Sequence, residues 1–282
     1  MAEPVIHIAH TGPTHILSDI QKHTDFDAAE VHLFDLDKEY YNFYKQAKRN
    51  NRIVYLNCSR WQLDQEYDLE KYQKYIIDLE PWAYVVPDVP ESSKKTIANF
   101  KKWIKNYSKK IDPGCQTVGV VHGETFEEFV NCYNFMKENA DRVAFSWDCS
   151  LYEDFYKENQ QTYATPFEDV MSYGREELIK KLYFEDHLSQ EVSHDLLGTC
   201  LPYEARIYKQ YRWMEAIITS HPIISGMAGW KYKKYGDSDQ VYGVPKKSVT
   251  KLSEIFDDKL LCTVNKKIIM NNIKWFRHTI RA

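Results

Sequence analysis

Strand-like and helix-like stretches alternate about eight times along this 282-residue chain, at spacings of roughly 25–35 residues. This rhythm limits the fold more than any single residue does. Parallel strands need a crossover connection, and a helix is the usual one. Apolar runs predict strands over 5–10, 31–34, 53–56, 84–86, 117–121, 142–146, 194–198 and 215–220. Helical spacing or start signals fall between them, over 37–50, 69–79, 91–109, 125–139, 176–188 and from Pro202. Thr125 with Glu128 three residues on is a capping-box pattern. The expected architecture is α/β, a single (β/α)8 TIM-like barrel over 1–282. A doubly wound open sheet is the second arrangement. No G-x-G-x-x-G follows a strand, so a dinucleotide-binding fold is not read.

Apolar residues make up 43% of the chain, enough for a core of this size. The net charge of −4 is uneven: residues 228–282 carry +7 and the remainder −11. A basic helical extension on an acidic body points to a polyanion partner, or to a solvated helical face. Cysteines 58, 115, 132, 149, 200 and 262 form no CxxC pair, so no structural zinc site is read. With no signal peptide and no long apolar run, the expectation is a reduced cytoplasmic protein without a membrane partner. The polar, aromatic stretch 149–174 is long for a connection and reads as a lid-like insertion.

In a barrel, the residues just past each strand meet on one face. Those positions here are His10, Asp35, Asn57, Asp88, His122 and Asp148, with the Gly198-Thr199-Cys200 turn and Ser220-His221. Acids, histidines and amides gathered there suit acid–base or electrostatic chemistry. Singly, each has a plainer reading, as a helix cap for Asp35 or Asp88 and as a core histidine for His10 or His122. The HxH of many barrel metallohydrolases is missing, since His7 and His10 alternate to opposite faces of their strand. No metal or other cofactor is expected.

The order of strand endings resembles the tRNA-guanine transglycosylase superfamily, nearest its DNA-acting 7-deazaguanine branch. The residues that carry the resemblance are Pro87-Asp88-Val89, Gly119-Val120-Val121-His122-Gly123, His194-Asp195-Leu196-Leu197-Gly198 with Pro202 and Glu204, and Thr219-Ser220-His221-Pro222 with Gly226 and Gly229. It spans roughly residues 50–250. It implies a (β/α)8 barrel that takes a flipped nucleotide and breaks the base–sugar bond. By the resemblance, Asp88 matches the family's base-recognition aspartate and His122-Gly123 its Gln-Gly pair. Leu56-Asn57-Cys58-Ser59 lies on the Leu-Asp-Asn-Gly segment, which puts Asn57 where the family has an aspartate. Ile217-Ile218-Thr219-Ser220 lies on Ser-x-Asp-Thr-Ser, so the family's nucleophile falls at Ile218. The family's zinc cluster is missing.

Base exchange needs a nucleophilic carboxylate to hold the sugar, and isoleucine cannot supply one. Hydrolysis needs no such adduct. The implied activity is therefore a DNA glycosylase that hydrolyses the N-glycosidic bond of a modified base. One such base is glucosylated hydroxymethylcytosine, and the setting is phage defence. The expected roles are Asp88 as base reader or general acid/base and His122 as partner to the base. Asn57 positions water or the sugar, and Asp148 stabilises positive charge. Gly123, Gly198, Ser220 and His221 line the base site, and Tyr152 and Tyr156 enclose a base-linked sugar. Lys231, Lys233, Lys234, Lys246 and Lys247 hold phosphates of DNA, or of RNA. Base exchange by a transglycosylase and non-catalytic reading of modified nucleic acid are the alternatives.

Overall fold

The computed structural model describes residues 6–147, 149–159, 167–200, 202–209, 211–227, 229, 231–235, 238–242, 251–252 and 259–281. The barrel strands are β1 (His7–His10), β2 (Asp27–Glu30), β3 (Val54–Asn57), β4 (Ala83–Val85), β5 (Gln116–Val121), β6 (Arg142–Phe145), β7 (Ser193–Leu197) and β8 (Met214–Thr219). Helix α1 (Leu17–Gln21) follows β1, and α2 (Val31–Leu36) and α3 (Lys38–Arg49) follow β2. Helices α4 (Arg60–Leu63) and α5 (Leu69–Leu79) follow β3, α6 (Ser93–Asn106) follows β4 and α7 (Phe126–Asn139) follows β5. Helices α8 (Leu151–Asn159) and α9 (Phe167–Phe184) lie between β6 and β7, α10 (Pro202–Tyr208) follows β7 and α11 (His221–Met227) follows β8. A short antiparallel pair, β9 (Lys233–Tyr235) and β10 (Ser238–Tyr242), precedes the long α12 (Lys259–Arg281).

All eight barrel strands are parallel, in the order β1-β8-β7-β6-β5-β4-β3-β2. This is a nearly closed (β/α)8 TIM-like barrel with a helical C-terminal extension, as the alternation predicts. The helices start where the sequence places caps. Asp68 accepts from the backbone N–H groups of Glu70 and Lys71, both at 3.0 Å. Thr125 accepts from Glu128 N–H at 3.3 Å, while the Glu128 carboxylate reaches the N–H of Glu124 at 3.1 Å. That is one residue earlier than a capping box closes.

One expectation is corrected. Residues 31–34 are the first turns of α2, not a strand; the second strand is Asp27-Ala28-Ala29-Glu30. Local propensity disfavours a strand with acids at both ends and alanines between. Tertiary partners override it: Arg52 and Gln21 hold Asp27 at 3.1 and 2.8 Å, and Ser59 holds Glu30 at 2.9 Å. Asp35 therefore sits on α2, bonded to the hydroxyls of Tyr67 and Tyr75. The stretch 149–174 is built largely of α8 and the start of α9, which pack on each other; residues 160–166 lie outside the described residues.

The strand order leaves a seam between β1 and β2, and Asp25 stitches it. Its backbone N–H donates to Ile8 O at 2.9 Å, and its carboxylate accepts from Ile8 N–H at 2.9 Å. Arg277 and Arg281 of α12 both bind the same carboxylate. Lys251 pairs with Asp64 and Lys266 with Asp19. Four of the twelve cations in 228–282 thus neutralise acids of the barrel body. Part of the charge asymmetry read from sequence serves to dock the extension. Helix α12 also approaches α11 closely at Gly226, where an added Cβ would lie 2.7 Å from Ile269 Cα.

The N-terminal end of the barrel is plugged by a polar cluster. Arg142 reaches Asp195 through two bonds of 2.6 and 3.0 Å, reaches Glu215 at 2.9 Å and lies over the Trp82 ring. Burial raises the pKa of Asp195 against the pull of the guanidinium.

The seam gives a direct test. Asp25→Ala removes the acceptor for Ile8 N–H and strands two arginines, so it should cost about 2–4 kcal/mol of stability. Urea denaturation monitored by circular dichroism measures it, and a loss below 0.5 kcal/mol, the ordinary range of surface changes, would contradict the assigned role.

Candidate functional site

Each of the eight strands, or the turn directly after it, contributes a residue to one cavity at the C-terminal face of the barrel. Thr11 comes from just past β1, Glu30 and Asn57 from the ends of β2 and β3, and Val85 with Asp88 from β4 and the turn after it. Val120 belongs to β5, and Ser146 and Trp147 follow β6. Leu197-Gly198 and Ile218-Thr219 complete the ring. Glu30 and Asn57 are register partners on adjacent strands. The short α4 adds Arg60 and Trp61 to the wall, and α11 adds His221 and Ser225.

Glu30 ends a strand that the apolar pattern predicts four residues late, at 31–34, so the sequence does not mark it as a site residue. It is 5% exposed, and its carboxyl accepts from Ser59 Oγ–H at 2.9 Å. Burial pushes its pKa up to about 7, outweighing the hydrogen bond from Ser59, which acts in the opposite direction. The available signal was the acid placed immediately before an amphipathic turn whose Val31, Leu33 and Phe34 face the core.

Asp88 is buried, and both its oxygens are engaged. His122 Nε2 lies 2.6 Å from Oδ2, and Cys58 Sγ–H donates to Oδ1 at 3.6 Å. A carboxylate can only accept, so Nε2–H donates, and His122 Nδ1 is buried without a hydrogen-bond partner. The turn after Asp88 is fixed by Thr96, whose hydroxyl accepts from Val89 N–H at 3.0 Å and donates to Val89 O at 2.9 Å.

The other predicted site residues divide. Asn57, Gly198, Ser220 and His221 line the cavity. Gly198 has φ +76°, and a Cβ there would meet Trp147 Cβ at 2.6 Å, so only glycine lets this turn pass behind the indole. His221 is pushed down to about 4 by burial, which keeps its ring neutral near pH 7, and its Nε2 lies 3.3 Å from Ser225 Oγ.

His122 is fully buried behind Asp88 and does not line the cavity, so its contact is with the acid. Gly123 packs against the backbone of Phe129 at the start of α7. Tyr152 is fully buried with its hydroxyl donating to Ser146 O at 2.8 Å, and Tyr156 is buried beside Tyr173; neither lines the cavity. Asp148, Lys246 and Lys247 lie outside the described residues. Lys231 is exposed; Lys233 and Lys234 lie on β9, and their side chains are outside the described residues.

A second buried ion pair holds the cavity wall from behind. Arg175 of α9 binds Glu204 of α10 at 2.6 and 3.0 Å. The same guanidinium donates to Phe145 O and Leu197 O, the ends of β6 and β7, and to Thr199 Oγ. Thr199 O accepts in turn from Thr219 Oγ–H at 2.6 Å. One arginine thus spaces the two strands that present Trp147 and Gly198. Among the described residues, no group of three or more His, Cys, Asp or Glu side chains is arranged to hold a metal ion. No described helix is long and apolar enough to cross a membrane.

No model of a known protein family matches the chain, and no curated protein is significantly similar to it in sequence. The fold and the cavity define a (β/α)8 TIM-like barrel whose C-terminal mouth carries two buried carboxyl groups, Glu30 and Asp88.

Folded Glu30 keeps its proton to about pH 7, whereas an unfolded glutamate releases it near 4.5. Between those values the native state binds more protons than the unfolded chain, so stability falls as pH rises, by on the order of 3 kcal/mol at pH 8. Glu30→Gln removes that loss. The variant should melt higher than wild type at pH 8 and show little gain at pH 4.5, measured by thermal denaturation at both.

Proposed function

We propose that this protein is a DNA glycosylase that hydrolyses the N-glycosidic bond of a modified nucleobase flipped into the cavity. The observation that carries the reading is the pairing of Glu30 and Asp88 in one cavity to which β8 presents Ile218 rather than a carboxylate. Two carboxyl groups in different environments can divide acid and base roles. A carboxyl titrating near pH 7 is suited to donate a proton. Trp61 and Trp147 give the cavity flat apolar faces that suit a heterocycle.

In the proposed reaction, the C1′–N bond breaks and the base leaves with the bonding electron pair. Glu30 supplies the proton that neutralises the departing base. Asp88 offers negative charge to the oxocarbenium-like sugar and accepts a proton from the water that adds to C1′. His122 and Cys58 orient Asp88 from behind. Asn57, beside Glu30 at the adjacent strand end, positions the water or the sugar. The likeness of the strand endings to the transglycosylase superfamily supports nucleotide chemistry at this face. The absence of a carboxylate at Ile218 favours hydrolysis over base exchange.

Base release is the test. The protein is incubated with unmodified DNA, DNA carrying hydroxymethylcytosine with and without glucose, and DNA carrying 7-deazaguanine, each with and without free deazapurine. Abasic sites and free base are read by alkaline cleavage and mass spectrometry. Hydrolysis without added base is expected on one modified substrate. Asp88→Ala should abolish it with DNA affinity nearly intact, and turnover retained in that variant would sink the assignment. Because the acid form of Glu30 is required, wild-type kcat/KM should fall as pH rises through about 7. Glu30→Gln should lower the rate at least about 100-fold and flatten that limb.

A further inference from the structure

Arg60 is the only arginine or lysine among the described residues that line the cavity. Its side chain makes no hydrogen bond or ion pair with any described residue, and its Nε is buried without a partner. This is unusual in a cavity that also holds two carboxyl groups. Both acids are committed elsewhere, Glu30 to Ser59 and Asp88 to His122 and Cys58. The residue is partly exposed and only its Nε is withdrawn from water, so its terminal N–H groups are free to take a ligand oxyanion.

The segment that carries Arg60 is held in place. Ser59 and Asp64, on either side of α4, both adopt left-handed backbone, at φ +62° and +56°. Non-glycine residues occupy that region at a cost, and such strain persists where the surroundings impose it. Here Gln62 Oε1 accepts from Leu252 N–H at 2.9 Å, and Lys251 pairs with Asp64. The strand-end side adds Ser59, whose N–H donates to Asn57 Oδ1 at 3.0 Å. The turn therefore presents a fixed arginine beside an indole, with no carboxylate of the described residues on it.

We infer that Arg60 is a binding residue for a phosphate group of the ligand, placed beside the base that the cavity accepts. This deepens the nucleotide reading of the same site and rests on it. The phosphate has two sources, the diester of a DNA strand next to the flipped nucleotide or the monoester of a free nucleotide. The shared chemistry is a tetrahedral oxyanion that takes two guanidinium N–H groups.

The test avoids the identity of the base. Wild type, Arg60→Gln and Arg60→Lys are titrated with an oligonucleotide carrying a tetrahydrofuran abasic residue. The same oligonucleotide with its two flanking phosphates replaced by uncharged methylphosphonates is the second ligand, and 2-deoxyribose 5-phosphate against 2-deoxyribose is the third comparison. Arg60→Gln should weaken the natural abasic strand about tenfold or more, with Arg60→Lys between it and wild type. Methylphosphonate replacement should weaken wild type equally, and the two changes together should cost no more than one. Arg60-dependent binding of the sugar phosphate alone would assign the monoester source. Additive losses, or the same affinity in Arg60→Gln for every phosphate ligand, would overturn the inference. Since Arg60 bonds to nothing described, the Arg60→Gln melting temperature should match wild type, which separates a binding defect from misfolding.

The two readings fail separately. Base release that depends on Glu30 and Asp88, with phosphate binding indifferent to Arg60, removes the inference and leaves the glycosylase. Arg60-dependent phosphate binding without base release from any substrate does the reverse.

Discussion

Closure of the barrel at the β1–β2 seam is the constraint on which the site depends. The seam has no strand ladder of its own, and one aspartate substitutes for it. Asp25 satisfies both the N–H and the carbonyl of Ile8, using backbone for one and carboxylate for the other. Its charge is then met by two arginines of α12. Only a closed ring brings Thr11, just past the first strand, within reach of the same cavity as Glu30 of the second. The extension is thus part of the barrel's closure as well as an addition to it.

Two buried arginines divide the work of the barrel between its ends. Arg142, at the N-terminal end, gathers Asp195 and Glu215 under an indole and fills the interior where an apolar layer would otherwise sit. Arg175, near the other end, grips two strand-end carbonyls and Glu204 and so sets the width of the cavity wall. Loss of either partner leaves an uncompensated charge, a defect worth about 3–5 kcal/mol. The first pair is remote from the cavity and the second shapes it. In TIM-like barrels the N-terminal face commonly carries stability and the C-terminal face chemistry.

Much of this was legible in the sequence. The alternation predicts the barrel, and the capping pattern at Thr125 marks a helix start that the structure keeps. Asn57, Asp88, Gly198, Ser220 and His221 were placed at the mouth from strand ends alone. The failure at β2 has a physical cause. Asp27-Ala28-Ala29-Glu30 has neither the branching nor the apolarity of a strand, and only partners far along the chain make it one. The acid it hides was lost with it. The pairing of Glu204 with Arg175 is unreadable for a similar reason, since nothing local tells that a mid-helix arginine is fully buried. The tyrosines expected to enclose a ligand are instead packed in the wall: a large aromatic residue looks the same in sequence whether it faces a cavity or a neighbouring helix.

The bond between Asp25 and Arg277 spans 252 positions of the chain. Its consequence is kinetic. Contacts so distant in sequence are paid for in loop-closure entropy before they return any energy, so they form late. The seam bonds between Asp25 and Ile8, 17 positions apart, are local, whereas the charge of Asp25 is met only when α12 has docked. Until then that carboxylate stands in the seam without its two arginines, so the last described helix completes the first joint of the barrel.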